Sequence, residues 1–138
     1  IFGGQIAAWC DICAAISAQR FSRGPVVTVS MDQLHFLRPV RQGMIVVFKS
    51  QVNQAWNTSM EVGVRVDAED PTHGTMRHCC TAYLTFVALD THGQPRGVPT
   101  LDVGEDSVAA RRCNEADQRR EARLKMREKR KKALKDGT

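Results

Sequence analysis

The sequence predicts an α+β protein: one long helix against an antiparallel sheet, with a charged helix after it. Three observations predict this. Near the start, Ile6, Cys10, Cys13 and Ala14 recur at helical spacing, and the small Ser17 continues the line. Between Ser59 and Asp67, Met60, Val62, Val64 and Val66 alternate with Ser59, Glu61, Gly63, Arg65 and Asp67, the pattern of a half-buried antiparallel strand. From Glu105 onward charge dominates, and the apolar residues, among them Ala109, Cys113, Ala116, Leu124, Met126 and Leu134, are sparse and mostly small.

The first helix is expected from Gly3 to about Gln19, closed by the Arg20–Gly24 segment. Pro25 to Met31 reads as a strand rich in β-branched residues, and Leu34, Phe36 and Leu37 continue apolar until Arg38-Pro39 breaks the run. Gly43 marks a turn, and Met44 to Val52 is the next strand. Asp70 to Gly74 is a turn after the alternating strand. His78 to Leu89 is long and largely apolar, which suits the sheet centre, and Val98 to Val103 is expected as a short edge strand. The helix from Glu105 is expected to fray past Lys129. Residues 1–104 then form one domain and 105–138 a charged helix and tail. One helix covers one face of such a sheet, so the other face and the edges call for a partner.

The chain has 138 residues and a net charge of +5, unevenly spread. Twelve basic and four acidic residues between Arg111 and Lys135 give that stretch +8, and the rest carries −3. The tail has no aromatic residue and carries interspersed acids, so it lacks a stacking platform and nucleic acid is not expected as a partner. No apolar run is long enough to span a bilayer. Five cysteines without framework spacing, and no visible secretion signal, point to a reducing compartment, the cytoplasm. A mitochondrial location is the alternative, because the chain opens inside a helix-start motif and residues are expected before Ile1.

The chemistry gathers on the first helix. Gly3 and Gly4 open it, and a helix start leaves bare N–H groups that suit a developing negative charge. Asp11 sits two turns further on with no neighbouring cation in sequence, and a half-buried carboxylate is costly unless used or paired. Trp9-Cys10-Asp11-Ile12-Cys13 has the outline of a dithiol redox motif, but here the helix begins several residues earlier, so Cys10 and Cys13 read as core thiols. Cys79 and Cys80, adjacent in a strand, are expected to point to opposite faces. The four histidines show no zinc spacing, and no metal is expected. His78 reads as a strand residue, Asp32 as a turn residue and Glu61 as a salt-bridge or interface residue.

Four ordered stretches resemble the hotdog-fold acyl-CoA thioesterases, in particular the cytosolic acyl-CoA hydrolase branch with its tandem double-hotdog enzymes. They are Ile1-Phe2-Gly3-Gly4-Gln5 with Trp9-Cys10-Asp11, Val27-Thr28-Val29-Ser30-Met31-Asp32, Phe36-Leu37-Arg38-Pro39-Val40-Arg41-Gln42-Gly43, and Asn57-Thr58-Ser59-Met60-Glu61-Val62. The resemblance implies a sheet wrapped around the long helix, active sites between paired hotdogs, and hydrolysis of an acyl-CoA to a free fatty acid and CoA. It implies Asp11 as the catalytic carboxylate and a catalytic asparagine shortly before the glycine pair, upstream of Ile1. On physical grounds, the Gly3 or Gly4 amide at the helix mouth can be one oxyanion donor. Asp11 then serves as general base or as nucleophile, and both routes stay open. The resemblance places CoA along Val29, Ser30 and Met31 and along Asn57, Thr58, Ser59 and Met60. By charge alone, Arg119, Arg120 and Arg123 are candidates for its phosphates. No cofactor is expected beyond CoA as part of the substrate. The assembly expected is a homodimer of hotdogs or a trimer of such dimers. The alternative is a non-catalytic CoA-binding hotdog, or one half-site of a tandem thioesterase.

Overall fold

In the computed structural model the described residues are 3–137. They fall into two compact units, one running to Leu101 and one starting at Asp102. The first holds α1 (Gly3–Ser22), β1 (Val26–Phe36), β2 (Ile45–Ala55), β3 (Ser59–Asp70) and β4 (Thr75–Ala88). The second holds α2 (Ser107–Lys135).

The four strands form one antiparallel sheet in the order β1-β4-β3-β2, and α1 packs against all four. Met60, Val62, Val64, Val66 and Ala68 from β3 share one core with Cys80, Ala82, Leu84, Phe86 and Ala88 from β4. Burial of these alternate residues against a helix drives the fold. On α1 the buried line is Ile6, Cys10, Ala14, Ala18 and Ser22, each four residues from the last. After Ile6 every member is small, which lets the helix sit close to the sheet. The line therefore passes through Ala18 and Ser22 rather than Cys13 and Ser17. Those two are half-buried on its flank, where the Cys13 carbonyl accepts from the Ser50 hydroxyl and the Ser17 hydroxyl meets Ser50 at 2.6 Å.

Further sequence expectations change. β1 does not stop at Met31. It runs on to Phe36 through two irregularities, the second at Gln33, whose φ is 55°, and Asp32 lies inside the strand opposite Tyr83 instead of in a turn. Residues 98–103 form no strand; beyond β4 there is an isolated bridge between Leu89 and Pro95, and the Val98 amide donates to the Asn57 carbonyl. In β4, Val66 faces Cys80 while Asp67 faces His78, so Cys79 is an extra residue; the usual alternation fails there and both thiols are buried. In the second unit, α2 is capped by Asp106, whose carboxylate accepts from the Val108 and Ala109 amides, and it stays helical past Lys129 to Lys135.

The sheet face away from α1 carries polar residues, some of them buried. Glu61 is fully buried, and its carboxylate accepts from Asn53 Nδ2 at 3.1 Å. Gly63 makes room for this: a Cβ there would stand 2.7 Å from the same nitrogen. Glu61 is thus a buried, hydrogen-bonded acid. Asp67, also buried, takes bonds from Arg65 (3.1 Å) and His78 (3.2 Å). Burial alone pushes its pKa up, but those two partners outweigh it and hold the carboxyl below its ordinary value.

Arg96 fixes the far end of α1. Its guanidinium donates to the Ser22 carbonyl (2.8 Å), the Ser22 hydroxyl (3.2 Å) and the Leu89 carbonyl (2.8 Å), joining the helix C-terminus to the end of the sheet. A cation on otherwise bare helix carbonyls is a strong placement. Arg96→Ala is expected to cost about 2 kcal/mol in urea unfolding; a loss under about 0.5 kcal/mol, the level of an ordinary surface change, would show that the clamp contributes nothing.

Candidate active site

Asp11 leaves α1 beside the buried Cys10 and is half-buried. Its Oδ1 accepts from the Thr28 hydroxyl at 2.6 Å. A bulge in β1 sets up this contact. Thr28 lies opposite Phe86 and Ser30 opposite Thr85, so Val29 is left without a partner. Thr28 thereby keeps to the core side of the sheet, with Phe86, and meets the helix. Among the described residues no cation pairs with Asp11. The carboxylate is held by one hydroxyl and keeps acceptor capacity for a further group. Thr28 is a site residue that the sequence did not single out, because a threonine in a β-branched run looks like ordinary strand propensity.

Gly3 and Gly4 form the first turn of α1. A Cβ on Gly3 would stand 3.1 Å from the Phe36 ring, whereas nothing lies within 4 Å of one on Gly4. Ile1 and Phe2 of the same motif lie outside the described residues. Seven helical steps separate Gly4 from Asp11, an axial rise of about 10 Å. Hydrogen bonds span about 3 Å. One carbonyl oxygen therefore cannot take the Gly4 amide of a helix while the Asp11 of the same helix attacks its carbon directly.

The remaining expected contacts are spread along the first unit. Val29 is more than half exposed, Ser30 Oγ is buried without a hydrogen-bond partner, and Met31 packs against the core. Asn57 and Thr58 form the β2–β3 turn; their carbonyls accept from the Val98 and Ala88 amides, both at 3.0 Å. The Ser59 carbonyl accepts from the Trp56 amide, and Met60 is fully buried. Arg119, Arg120 and Arg123 are half-buried on α2 in the second unit, and each already has a polar or electrostatic contact. Among the described residues, no three His, Cys, Asp or Glu side chains stand together as a metal cluster would need. No helix there is long and apolar enough to cross a membrane.

The thioesterase superfamily model matches residues 1–75. An acyl-CoA thioester hydrolase of Bacillus subtilis, described as uncharacterized, is 40% identical over 126 residues, which span 87% of this chain and 73% of that one. The chain belongs to the thioesterase superfamily. Acyl-coenzyme A thioesterase 11 of Mus musculus is 38% identical over 124 residues, but these are 89% of this chain and only 21% of that much longer one. Among solved superfamily structures, the acyl-CoA hydrolase of Staphylococcus aureus in complex with butyryl-CoA, CoA and CoA disulfide superposes with a TM-score of 0.87 at 36% identity, covering 98% of this chain and 82% of that one. A hexameric acyl-CoA thioesterase gives 0.86 at 32% identity, covering 91% and 80%. The Staphylococcus enzyme was also solved with alanine in place of an aspartate, of a threonine, or of an asparagine nearer its N-terminus. Its aspartate and threonine stand 17 positions apart, the separation of Asp11 and Thr28.

Superfamily membership and the position of Cys10 both speak against a dithiol enzyme. Cys10 is fully buried eight residues into α1, not at a helix start. Burial first, then the neighbouring Cys80 and Cys13, pushes its thiol up to about 12, and burial raises Cys80 as well. In the folded protein at mildly alkaline pH, Cys10 and Cys80 are expected to resist iodoacetamide and to react promptly once guanidinium unfolds the chain. Mass spectrometry of the modified peptides reads this, and rapid labelling of native Cys10 would contradict it.

Proposed function

We propose that this chain hydrolyses the thioester bond of acyl-CoA, releasing a free fatty acid and CoA, with Asp11 as the reacting carboxylate and Thr28 as the group that positions it. The single observation that carries this is the 2.6 Å bond between Thr28 and Asp11, at the spacing found in a relative that binds butyryl-CoA. Asp11 either takes a proton from water as it adds to the carbonyl carbon or attacks that carbon itself to give a mixed anhydride. In both routes the C–S bond breaks and CoA leaves as a thiolate that picks up a proton; in the second, water then hydrolyses the mixed anhydride, which frees the fatty acid and restores Asp11. The carbonyl oxygen gathers negative charge and needs aimed N–H donors.

For direct attack by Asp11, the rise of about 10 Å along α1 puts Gly4 of the same helix out of reach and supports taking those donors from the helix mouth of a second copy of the fold. This supports a homodimer of hotdogs, and the hexameric relative supports a trimer of such dimers. Exposed Trp9, Ile12 and Ile16 on the outer side of α1 give the second copy apolar surface to cover. The pantetheine arm runs along the free edge of β1 at Val29 and Ser30, with Thr58 and Ser59 beside the turn. Arg119 and Arg120 stay the candidates for the phosphates of CoA by charge alone. A tandem enzyme meets the same requirement by carrying the second copy in one chain, and the small share of the mouse relative that this chain spans favours keeping that half-site reading beside the first.

Asp11→Asn is expected to lower kcat for acyl-CoA by about 10²–10⁴ with an unchanged melting temperature. Turnover within twofold of the parent would refute the assignment. Thr28→Val is expected to lower kcat about tenfold or more while Thr28→Ser keeps most of it, because the hydroxyl and not the methyl holds the carboxylate. Equal losses in the two variants would assign Thr28 to packing alone.

A further inference from the structure

Along α2 the treatment of charge changes. Earlier in the helix, cations pair with acids one turn away: Arg111 meets Glu115 at 3.8 Å, and Lys125 meets Glu121 at 3.4 Å. Residues 127–135 break that pattern. They carry six cations, Arg127, Lys129, Arg130, Lys131, Lys132 and Lys135, against one acid, Glu128, and Asp136 follows the helix. All six cations are exposed, and among the described residues none of them is in an ion pair.

A solvated helix gains nothing from this arrangement. Like charges three or four residues apart repel. Here Arg127 neighbours Arg130 and Lys131, Lys132 neighbours Lys129 and Lys135, and Lys131 also neighbours Lys135. The helix dipole accounts for Lys132 and Lys135, which lie in the last turn, and not for the other four. The two acids offset part of the charge, and the remaining repulsion is a cost that a polyanionic partner removes.

Two further observations choose among polyanions. Leu134 is 75% and Met126 51% exposed, and Leu134 shares a side of the helix with Arg127 and Arg130 through the i, i+3, i+7 spacing. A bilayer interface takes an apolar side chain and its neighbouring cations together, whereas a nucleic-acid backbone engages only the charges. Four of the six cations are lysines, point charges on flexible stems. These suit a fluid array of headgroups, whereas forked recognition of one fixed phosphate favours arginine.

We propose that residues 127–135 are a docking surface for the anionic face of a phospholipid membrane, with their cations on lipid phosphates and Leu134 in the interface. The attachment is peripheral and reversible, because charge supplies most of it and one leucine adds little buried area. It does not rest on the thioesterase reading.

The test uses the whole chain and two kinds of vesicle, one of phosphatidylcholine alone and one of equal parts phosphatidylcholine and phosphatidylglycerol. Co-sedimentation at low salt is expected to show binding to the anionic vesicles and none to the neutral ones. Each cation near an anionic surface is worth about fivefold in affinity. A chain with Lys129→Gln, Lys131→Gln, Lys132→Gln and Lys135→Gln together should therefore bind at least about twentyfold more weakly. Leu134→Gln, which leaves every charge in place, should weaken binding about fivefold. Lys49→Gln, an exposed charge on β2, should leave it within twofold. Melting curves and helical circular dichroism confirm that each variant folds. Duplex DNA and polyglutamate serve as the competing partners. Failure to bind anionic vesicles overturns the proposal, as does equal binding to neutral ones. So does binding that the folded four-lysine variant keeps, or that Leu134→Gln leaves untouched. Tail-dependent binding of duplex DNA or polyglutamate that is tighter than that of the anionic vesicles also overturns it, by assigning the surface to another partner.

Discussion

An α-helix rises about 1.5 Å per residue, and that constraint governs the whole site. The two features of α1 that bear on thioester chemistry, its open N-terminal amides and its one inner carboxylate, lie two turns apart. No side-chain motion brings them together, because the amides are backbone and the helix is seated on the sheet. In the homodimer proposed above, a second α1 running the other way brings them together, so that each Asp11 faces the helix mouth of its neighbour.

The rest of the first unit serves to hold that helix in one rotation. The line of Ile6, Cys10, Ala14, Ala18 and Ser22 is buried, so Asp11, one residue round from Cys10, must point to the side. The bulge at Val29 brings Thr28 to the same place, and Arg96 fixes the C-terminal end. Small side chains along the buried line give close packing and little tolerance for larger ones. The outer sheet face carries its polarity inward as well, with Glu61 held by Asn53 over the gap that Gly63 leaves. A buried acid costs stability unless its bonds are made, so this patch contributes definition to the fold more than net energy.

Much of this was legible in the sequence where the period was clean. The alternation in β3 and the i, i+4 spacing of α1 gave their elements directly, and Asp11 stood out as a lone acid on an otherwise apolar helix. What was not legible has physical causes. β1 was cut short because Asp32-Gln33 looks like a turn, and the strand carries a positive φ there instead of ending. Residues 98–103 looked like a strand, but the amide that a ladder would use, at Val98, is bonded to the Asn57 turn. The two adjacent cysteines broke alternation through a bulge that no local pattern announces. Thr28 was hidden by its own strand propensity.

The most direct test mixes two damaged chains. Asp11→Asn removes the carboxylate. Gly4→Pro removes the amide at the helix mouth, at a position where nothing crowds a new side chain and where a first-turn proline is tolerated. Each variant alone should be inactive toward acyl-CoA. Unfolded together and refolded as a mixture, they should regain a substantial part of parental activity, since one of the two sites in each mixed pair combines an intact Asp11 with an intact helix mouth. A mixture that assembles but stays as inactive as its components would place both groups on one copy and contradict the account.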